Sequence, residues 1–213
     1  LYDRYSSQIE GIAISLPGYI DPESGFLVDA GAYKKLYGHC IVDLLKDRCP
    51  VPIAVENDGK CAALAEAWMG ALADCKDGAV IVLGSGIAGG IIKDGKIHSG
   101  RGFAAGELSY VISDPTHHDP LGCAYMSAAM HGLTYRVCKT KNLDLAVQDS
   151  GSILQWLDSL IQMPFANPDA PLKPIKADGV QIFQWLRAGD PDVKPVYQNF
   201  ITALATVVHD VQI

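Results

Sequence analysis

The stretch VENDGKCAALAE, residues 55–66, sets three polar residues where an apolar strand gives way to a helix of small residues. Val51–Val55 (VPIAV) reads as a short buried strand, and the Ala- and Leu-rich run after Asp58 has helical character. Glu56, Asn57 and Asp58 fall on the junction. Asn57 or Asp58 would cap the helix, which stabilises it by about 1 kcal/mol. A cap needs only one such residue. At the carboxyl end of a strand in an α/β sheet, ligands bind, and a carboxylate beside an amide can hold a hydroxyl and take its proton. Cap and site therefore both stand as readings of this junction.

The same order extends outward. Residues 9–16 (IEGIAISL) read as a buried strand, Pro17-Gly18 as a turn, and YIDPESGFLV as a hairpin. Residues 39–48 have helical spacing. Strand, helix, strand, helix is the pattern of an α/β fold. The polar break CKDGA, residues 75–79, places a boundary between an N-terminal lobe, 1–76, and a larger C-terminal lobe, 77–213. Residues 79–97 read as two strands joined by a glycine-rich turn, with a second turn at Lys93-Asp94-Gly95. Residues 100–114 (GRGFAAGELSYVISD) read as mostly loop ending in a short strand. Helices are expected at 122–138, 150–162, 178–188 and 193–211, with a proline-rich loop at 164–175.

Composition narrows the classes. The chain has 213 residues, 49% of them hydrophobic, which is enough for a substantial core. A net charge of −7 argues against a nucleic-acid-binding face. It leaves room for a nucleotide, because backbone N–H groups and a metal can hold phosphate. The six cysteines form no C-x-x-C pair, which fits reduced, buried thiols and a cytoplasmic setting. No apolar run is long enough for a bilayer. Leu1 is no initiator Met, and the final helical segment lacks a stop signal. The expectation is the middle of a longer chain.

Two further motifs bear on chemistry. LGSGIAGGII, residues 83–92, has four glycines between apolar runs. It is neither a Walker loop nor a dinucleotide fingerprint. Its tip can offer N–H groups to phosphate, with Ser85 adding a hydroxyl. The plainer reading is a tight hairpin whose glycines supply positive φ. In GRGFAAGELSY, residues 100–110, Glu107 is either a polyol acceptor or an ordinary surface carboxylate. His117, His118 and Cys123 do not complete a tetrahedral zinc set.

Together and in order, these segments resemble the ROK family of sugar kinases and sugar-responsive repressors. VENDGKCAALAE is similar to the family's VENDANAAALAE. LGSGIAGGIIKDGK is similar to LGTGIGGGIIxDGK, GRGFAAGELSY to GxAGExGH, and IAISLPGYIDPESG to GIxxPGxVDxxxG. The likeness is strong over residues 9–110 and weak beyond. It implies an actin-like, hexokinase-type α/β fold of two lobes, with ATP and sugar in the cleft. It implies Asp58 as the base that takes the proton of the attacking sugar hydroxyl. Asn57 and Glu107 would bind sugar hydroxyls, Gly18 would bring backbone close to the sugar, and Gly84, Ser85 and Gly86 would form a phosphate loop. Mg²⁺ would accompany ATP, and a homodimer is expected.

The departures are specific. Tyr110 stands where the family has a zinc-binding histidine, and the cysteine cluster is reduced to Gly122-Cys123 with no glutamate after it. Structural zinc is therefore expected to be absent, and the 112–125 loop must be held by other means. The family's first phosphate hairpin and its late adenosine-binding glycines would lie outside the two ends. The leading expectation is ATP-dependent phosphorylation of a hexose or N-acetylhexosamine. A sugar-sensing repressor is the alternative, binding nucleic acid only through a helix-turn-helix ahead of residue 1. A catalytically dead partner of the same fold is the third reading.

Overall fold

The computed structural model describes residues 2–31, 33–117, 120–143 and 178–211. The expected helix at 150–162 and the proline-rich loop at 164–175 lie outside them. By packing, these residues form two compact units. One comprises the residues up to Val82 with Gly89–Glu107; the other comprises Leu83–Ala88 with those from Leu108 on. The lobe boundary at 76/77 stays a proposal about the complete fold.

The first unit opens with a single helical turn, α1 (Tyr2–Tyr5), followed by β1 (Ile12–Leu16). β2 (Ile20–Asp21) and β3 (Phe26–Leu27) form the expected hairpin, antiparallel, with Ile20 opposite Leu27. The Asp21 carboxylate accepts from Glu23 N–H at 3.1 Å and from the Ser24 hydroxyl at 2.6 Å, which fixes the turn. Helix α2 (Ile41–Leu45) is shorter than its sequence pattern. It leads into β4 (Ile53–Asn57), parallel to β1, with Leu16 opposite Asn57. Parallel neighbours need a long crossover, and the segment between them supplies it. Ile20, Leu27, Ala30, Ile41 and Val55 form the buried core of this unit. Because the pair is parallel and in register, the Pro17-Gly18 turn and Asp58 leave the sheet at the same carboxyl end.

β4 runs two residues beyond the expected VPIAV, so Glu56 and Asn57 lie within the strand and α3 (Asp58–Met69) starts at once. A three-stranded sheet follows, in the order β5 (Gly78–Leu83), β6 (Ile87–Lys93), β7 (Lys96–Ile97). Asp94 and Gly95 take φ of 52° and 73°, the left-handed pair that a two-residue hairpin turn requires. Helix α3 lies against β6 with almost no gap. A Cβ on Gly59 would sit 2.5 Å from the Gly89 carbonyl oxygen, and one on Gly90 would sit 2.5 Å from the Ala63 Cβ. The small residues of the opening stretch and two of the four glycines thus serve one helix–strand contact.

In the second unit the expected helix 122–138 is broken. α4 (Ala124–Ser127) ends, Ala128 and Ala129 adopt non-helical angles, and α5 (Met130–Thr140) begins anew. α6 (Gly179–Arg187) starts at Asp178, whose side chain accepts from Gln181 N–H at 2.8 Å. α7 (Val193–Asp210) tolerates Pro195 because the first turn needs no donor there. Leu133, Val137, Ile182, Val193 and Phe200 are the shared core. Lys141, at the end of α5, donates to Asp190 at 2.6 Å and lies 5.1 Å from the Trp185 ring centroid. After Glu107 the expected strand is instead a 3₁₀ turn, Leu108–Tyr110, followed by a single bridge between Ile112 and Cys123.

The α3–β6 contact can be tested directly. Gly90→Ala is expected to destabilise the protein by about 1–3 kcal/mol, the usual cost of overpacking. A urea midpoint equal to that of the unaltered protein would mean that α3 and β6 do not approach this closely.

Candidate active site

The junction resolves into distinct roles. Asn57 is 7% exposed and uses both ends of its amide. Its Oδ1 accepts from Lys60 N–H at 3.1 Å, which caps α3, and its Nδ2 donates to the Gly18 carbonyl at 2.9 Å. The cap reading is therefore true of Asn57. Gly18 has φ of 102°, and a Cβ there would lie 2.2 Å from the Asp29 carbonyl oxygen, so no other residue fits. Asp58, the first residue of α3, is exposed, and its Oδ1 accepts from the Gly59 N–H at 2.9 Å. A carboxylate at a helix N-terminus is favoured by the helix dipole. Asp58 makes no ion pair among the described residues. The Glu56 side chain turns back to the Asn57 N–H at 2.8 Å.

Lys60 was not expected at the site. It is 2% exposed, and its ammonium donates to the Phe103 carbonyl at 2.8 Å. That bond brings the loop bearing Glu107 onto the first turn of α3. Burial lowers the Lys60 pKa, while the charges of Glu56 and Glu107 act in the opposite direction. Glu107 is half-buried, its N–H held by the Ala104 carbonyl at 3.0 Å. Asn57, Asp58, Gly18 and Glu107 therefore belong to one unit and are linked through short bonds. The signal for Lys60 was a long cation at the third position of a helix whose neighbours are all small, where little else could fill the space.

Gly84, Ser85 and Gly86 belong to the other unit. Gly84 and Ser85 are exposed. Their carbonyls accept from the Met130 and His131 N–H groups at 3.3 and 2.9 Å, the first N–H groups of α5. Neither Gly84 nor Gly86 has positive φ, so the plain hairpin explanation for these glycines fails. A Cβ on Gly84 would meet only the Gly86 oxygen, at 4.0 Å. Neither backbone nor packing demands a glycine there, and the space beside it is open, while the Gly84 N–H itself donates to the Gly86 carbonyl at 2.9 Å. Below the loop, the His131 ring lies 5.6 Å from that of Tyr125. Burial lowers the His131 pKa, and its Nε2 has no partner among the described residues.

The 112–125 loop is held by protein bonds. Ser113 and Asp114 N–H both donate to the Gly122 carbonyl, at 3.0 and 3.1 Å. Arg136 donates to the Leu121 carbonyl at 3.0 Å and pairs with Asp114 at 3.6 Å. The Ser113 and Ser127 hydroxyls bond each other. Among the described residues no group of three or more His, Cys, Asp or Glu could hold a metal ion. His118 lies outside them. No helix among them is long and apolar enough to cross a membrane.

The fold of the chain is that of the actin-like ATPases. Its structure superposes on the Lmo2764 protein of Listeria monocytogenes with a TM-score of 0.76 at 24% identity, covering 99% of this chain and 63% of that one. The ROK family profile matches residues 1–213, and the chain belongs to the ROK family. It is 41% identical to a beta-glucoside kinase of Klebsiella pneumoniae over 112 residues, which is 52% of this chain and 38% of the relative. It is also 31% identical to the DNA-binding transcriptional dual regulator NagC of Escherichia coli over 140 residues, 64% of this chain and 34% of the relative. The chain thus spans well under half the length of these curated relatives.

The Asp114 pKa is lowered, first by its bond to the Thr116 hydroxyl and also by Arg136. A carboxylate depressed in the folded state stabilises above its unfolded pKa, near 3.8, and that contribution is lost as pH falls through the folded value. Arg136→Met is expected to destabilise by about 1–3 kcal/mol at pH 7, since it removes a bond and a partly buried charge partner. The gap between variant and parent should narrow below pH 4. An equal gap at pH 7 and pH 3 would mean that Arg136 acts through its Leu121 bond and packing, not through its pairing with Asp114.

Proposed function

We propose that the protein is an ATP-dependent sugar kinase in which Asp58 is the general base. The observation that carries this reading is the α3 junction. There an exposed carboxylate is fixed by the helix start, beside an amide locked to Gly18, with the loop of Glu107 tied to the same helical turn. A sugar lying on that surface meets carboxylate and amide oxygens that accept from its hydroxyls. Asp58 takes the proton of the attacking hydroxyl as its oxygen bonds the γ-phosphorus and the bond to ADP breaks. Asn57 and Glu107 orient the neighbouring hydroxyls, and Gly18 keeps the strand end close. Because Asn57 Oδ1 and Nδ2 already serve the cap and Gly18, its sugar contact uses the remaining N–H and lone pair.

Gly84, Ser85 and Gly86 would receive the phosphates of ATP, and the open space over Gly84 supports this. Mg²⁺ would neutralise phosphate charge there. The substrate class is a hexose, N-acetylhexosamine or β-glucoside, the last added because a beta-glucoside kinase is among the relatives. A homodimer in the cytoplasm completes the proposal. The second reading, a sugar sensor without turnover, is favoured by the likeness to NagC.

The test is ATP consumption with Mg²⁺ across a panel of hexoses, N-acetylhexosamines and β-glucosides. Turnover is expected with at least one. Asp58→Asn is expected to lower kcat by about 10²–10⁴-fold, the range for losing a general base, with sugar affinity nearly unchanged. Full turnover in that variant would remove Asp58 from the role. Calorimetric sugar binding with no turnover would turn the conclusion to the sensor. Gly84→Val is expected to raise the KM for ATP roughly tenfold without lowering Tm, because the new side chain meets solvent rather than protein. A fall in Tm with an unchanged KM would make the loop purely structural.

A further inference from the structure

Lys60 has the least expected environment of any charged group described in the chain. A lysine is almost never fully buried unless paired, yet Lys60 is 2% exposed. Its ammonium has a single hydrogen bond among the described residues, to the Phe103 carbonyl at 2.8 Å. The acceptor belongs to a residue with φ of 60°, a left-handed conformation that is strained for any residue but glycine. Gly100 and Gly106, on either side, also have positive φ, at 67° and 85°. The 100–106 loop is therefore strained at Phe103 and turns through a left-handed glycine on either side of it. Within it, the described backbone bonds run only from Ala105 N–H to the Ser99 carbonyl and from Glu107 N–H to the Ala104 carbonyl. Among the described residues, the Lys60 ammonium supplies a bond that reaches it from another element. The helix supplying that bond is the one that begins with Asp58, and Lys60 N–H is the group that Asn57 caps.

We infer that Lys60 is a positioning residue that clamps the 100–107 loop to the first turn of α3 and so sets where the Glu107 carboxylate stands relative to Asp58. The charge matters as well as the bond. A neutral donor would satisfy the Phe103 carbonyl, but the ammonium also attracts the Glu107 and Glu56 carboxylates across a poorly screened interior. The loop is thereby held from both its backbone and its terminal acid. Sugar hydroxyls that bind Glu107 depend on this placement, whereas the phosphates of ATP do not. The inference rests on the kinase reading for its substrate and on the Lys60–Phe103 geometry for its mechanism.

The experiment uses Lys60→Met, which keeps the length and removes donor and charge, and Lys60→Gln, which keeps a neutral donor. Kinetics with the sugar turned over by the unaltered protein are paired with hydrogen exchange of amides 101–107 in the absence of sugar. The expected result for Lys60→Met is a KM for sugar raised at least about tenfold, with kcat within about threefold, an unchanged KM for ATP, and faster exchange across the loop. Lys60→Gln should fall between parent and Lys60→Met. A sugar KM equal to the parent's in both variants would overturn the inference. So would equal losses for sugar and ATP, or unchanged exchange of 101–107. If the unaltered protein neither turns over nor binds a sugar, the kinase reading falls. The exchange measurement then decides the clamp by itself, since unaltered protection in Lys60→Met would refute it and lost protection would sustain it. If Lys60→Met does not fold, Lys60→Gln gives the same decision through its own KM and exchange.

Discussion

The amide of Asn57 is the constraint on which the rest of the site depends. It ends a strand, caps a helix and holds a turn at the same time. An amide can do this because it has donors and an acceptor on one rigid plane, whereas Asp could only accept and Ser would not reach both partners. Once Asn57 is fixed between Gly18 and Lys60 N–H, the direction of α3 is fixed too, and with it the exit of the Asp58 carboxylate. The parallel register of β1 and β4 puts Gly18 within reach of Asn57, since Leu16 lies opposite Asn57. A slip of one residue would turn Asn57 to the other face of the strand.

The next dependence is distance. Helix α3 approaches β6 so closely that Gly59 and Gly90 have no room for a side chain. Close approach shortens the gap that any group on the first turn of α3 must cross to reach the loop after β7. A lysine at position 60 crosses it and is buried in doing so. The same approach removes water from around its ammonium, which makes each of its few partners worth more than a surface bond. Small residues and one long cation are thus two parts of one packing solution.

The sequence revealed the strand–helix order, the β2–β3 hairpin and the turn at Asp94-Gly95, because each depends on local pattern and turn chemistry. It also marked Asn57 and Asp58 as a pair with two readings, and the family resemblance followed from motif order. What it hid depended on tertiary partners. Ala128 and Ala129 are good helix formers, yet the helix breaks there. The break frees the first N–H groups of α5 to meet the carbonyls of Gly84 and Ser85. A Cβ at Gly132 would also strike the Met126 carbonyl, which shows how tightly α4 folds against α5. After Glu107 the expected strand is a 3₁₀ turn that buries Leu108, and among the described residues the pairing that follows is the single bridge between Ile112 and Cys123.

The described part of the 112–125 segment is tied down by hydrogen bonds and an ion pair. Here Gly122 accepts two N–H groups with one carbonyl, and Arg136 reaches from α5 to both Leu121 and Asp114. A metal ion imposes geometry through a few strong bonds whose ligands must be deprotonated. A guanidinium imposes it through planar donors that stay charged at every pH the protein meets. Asp114, held low first by its bond to the Thr116 hydroxyl and also by Arg136, ties the loop's stability to pH. Since α5 also receives the 84–86 tip at its first turn, the arginine that closes the loop stands on the same helix that braces the candidate phosphate loop. Tyr125, at the end of that loop, also lies against the tip, its ring 3.4 Å from where a Cβ on Gly86 would stand.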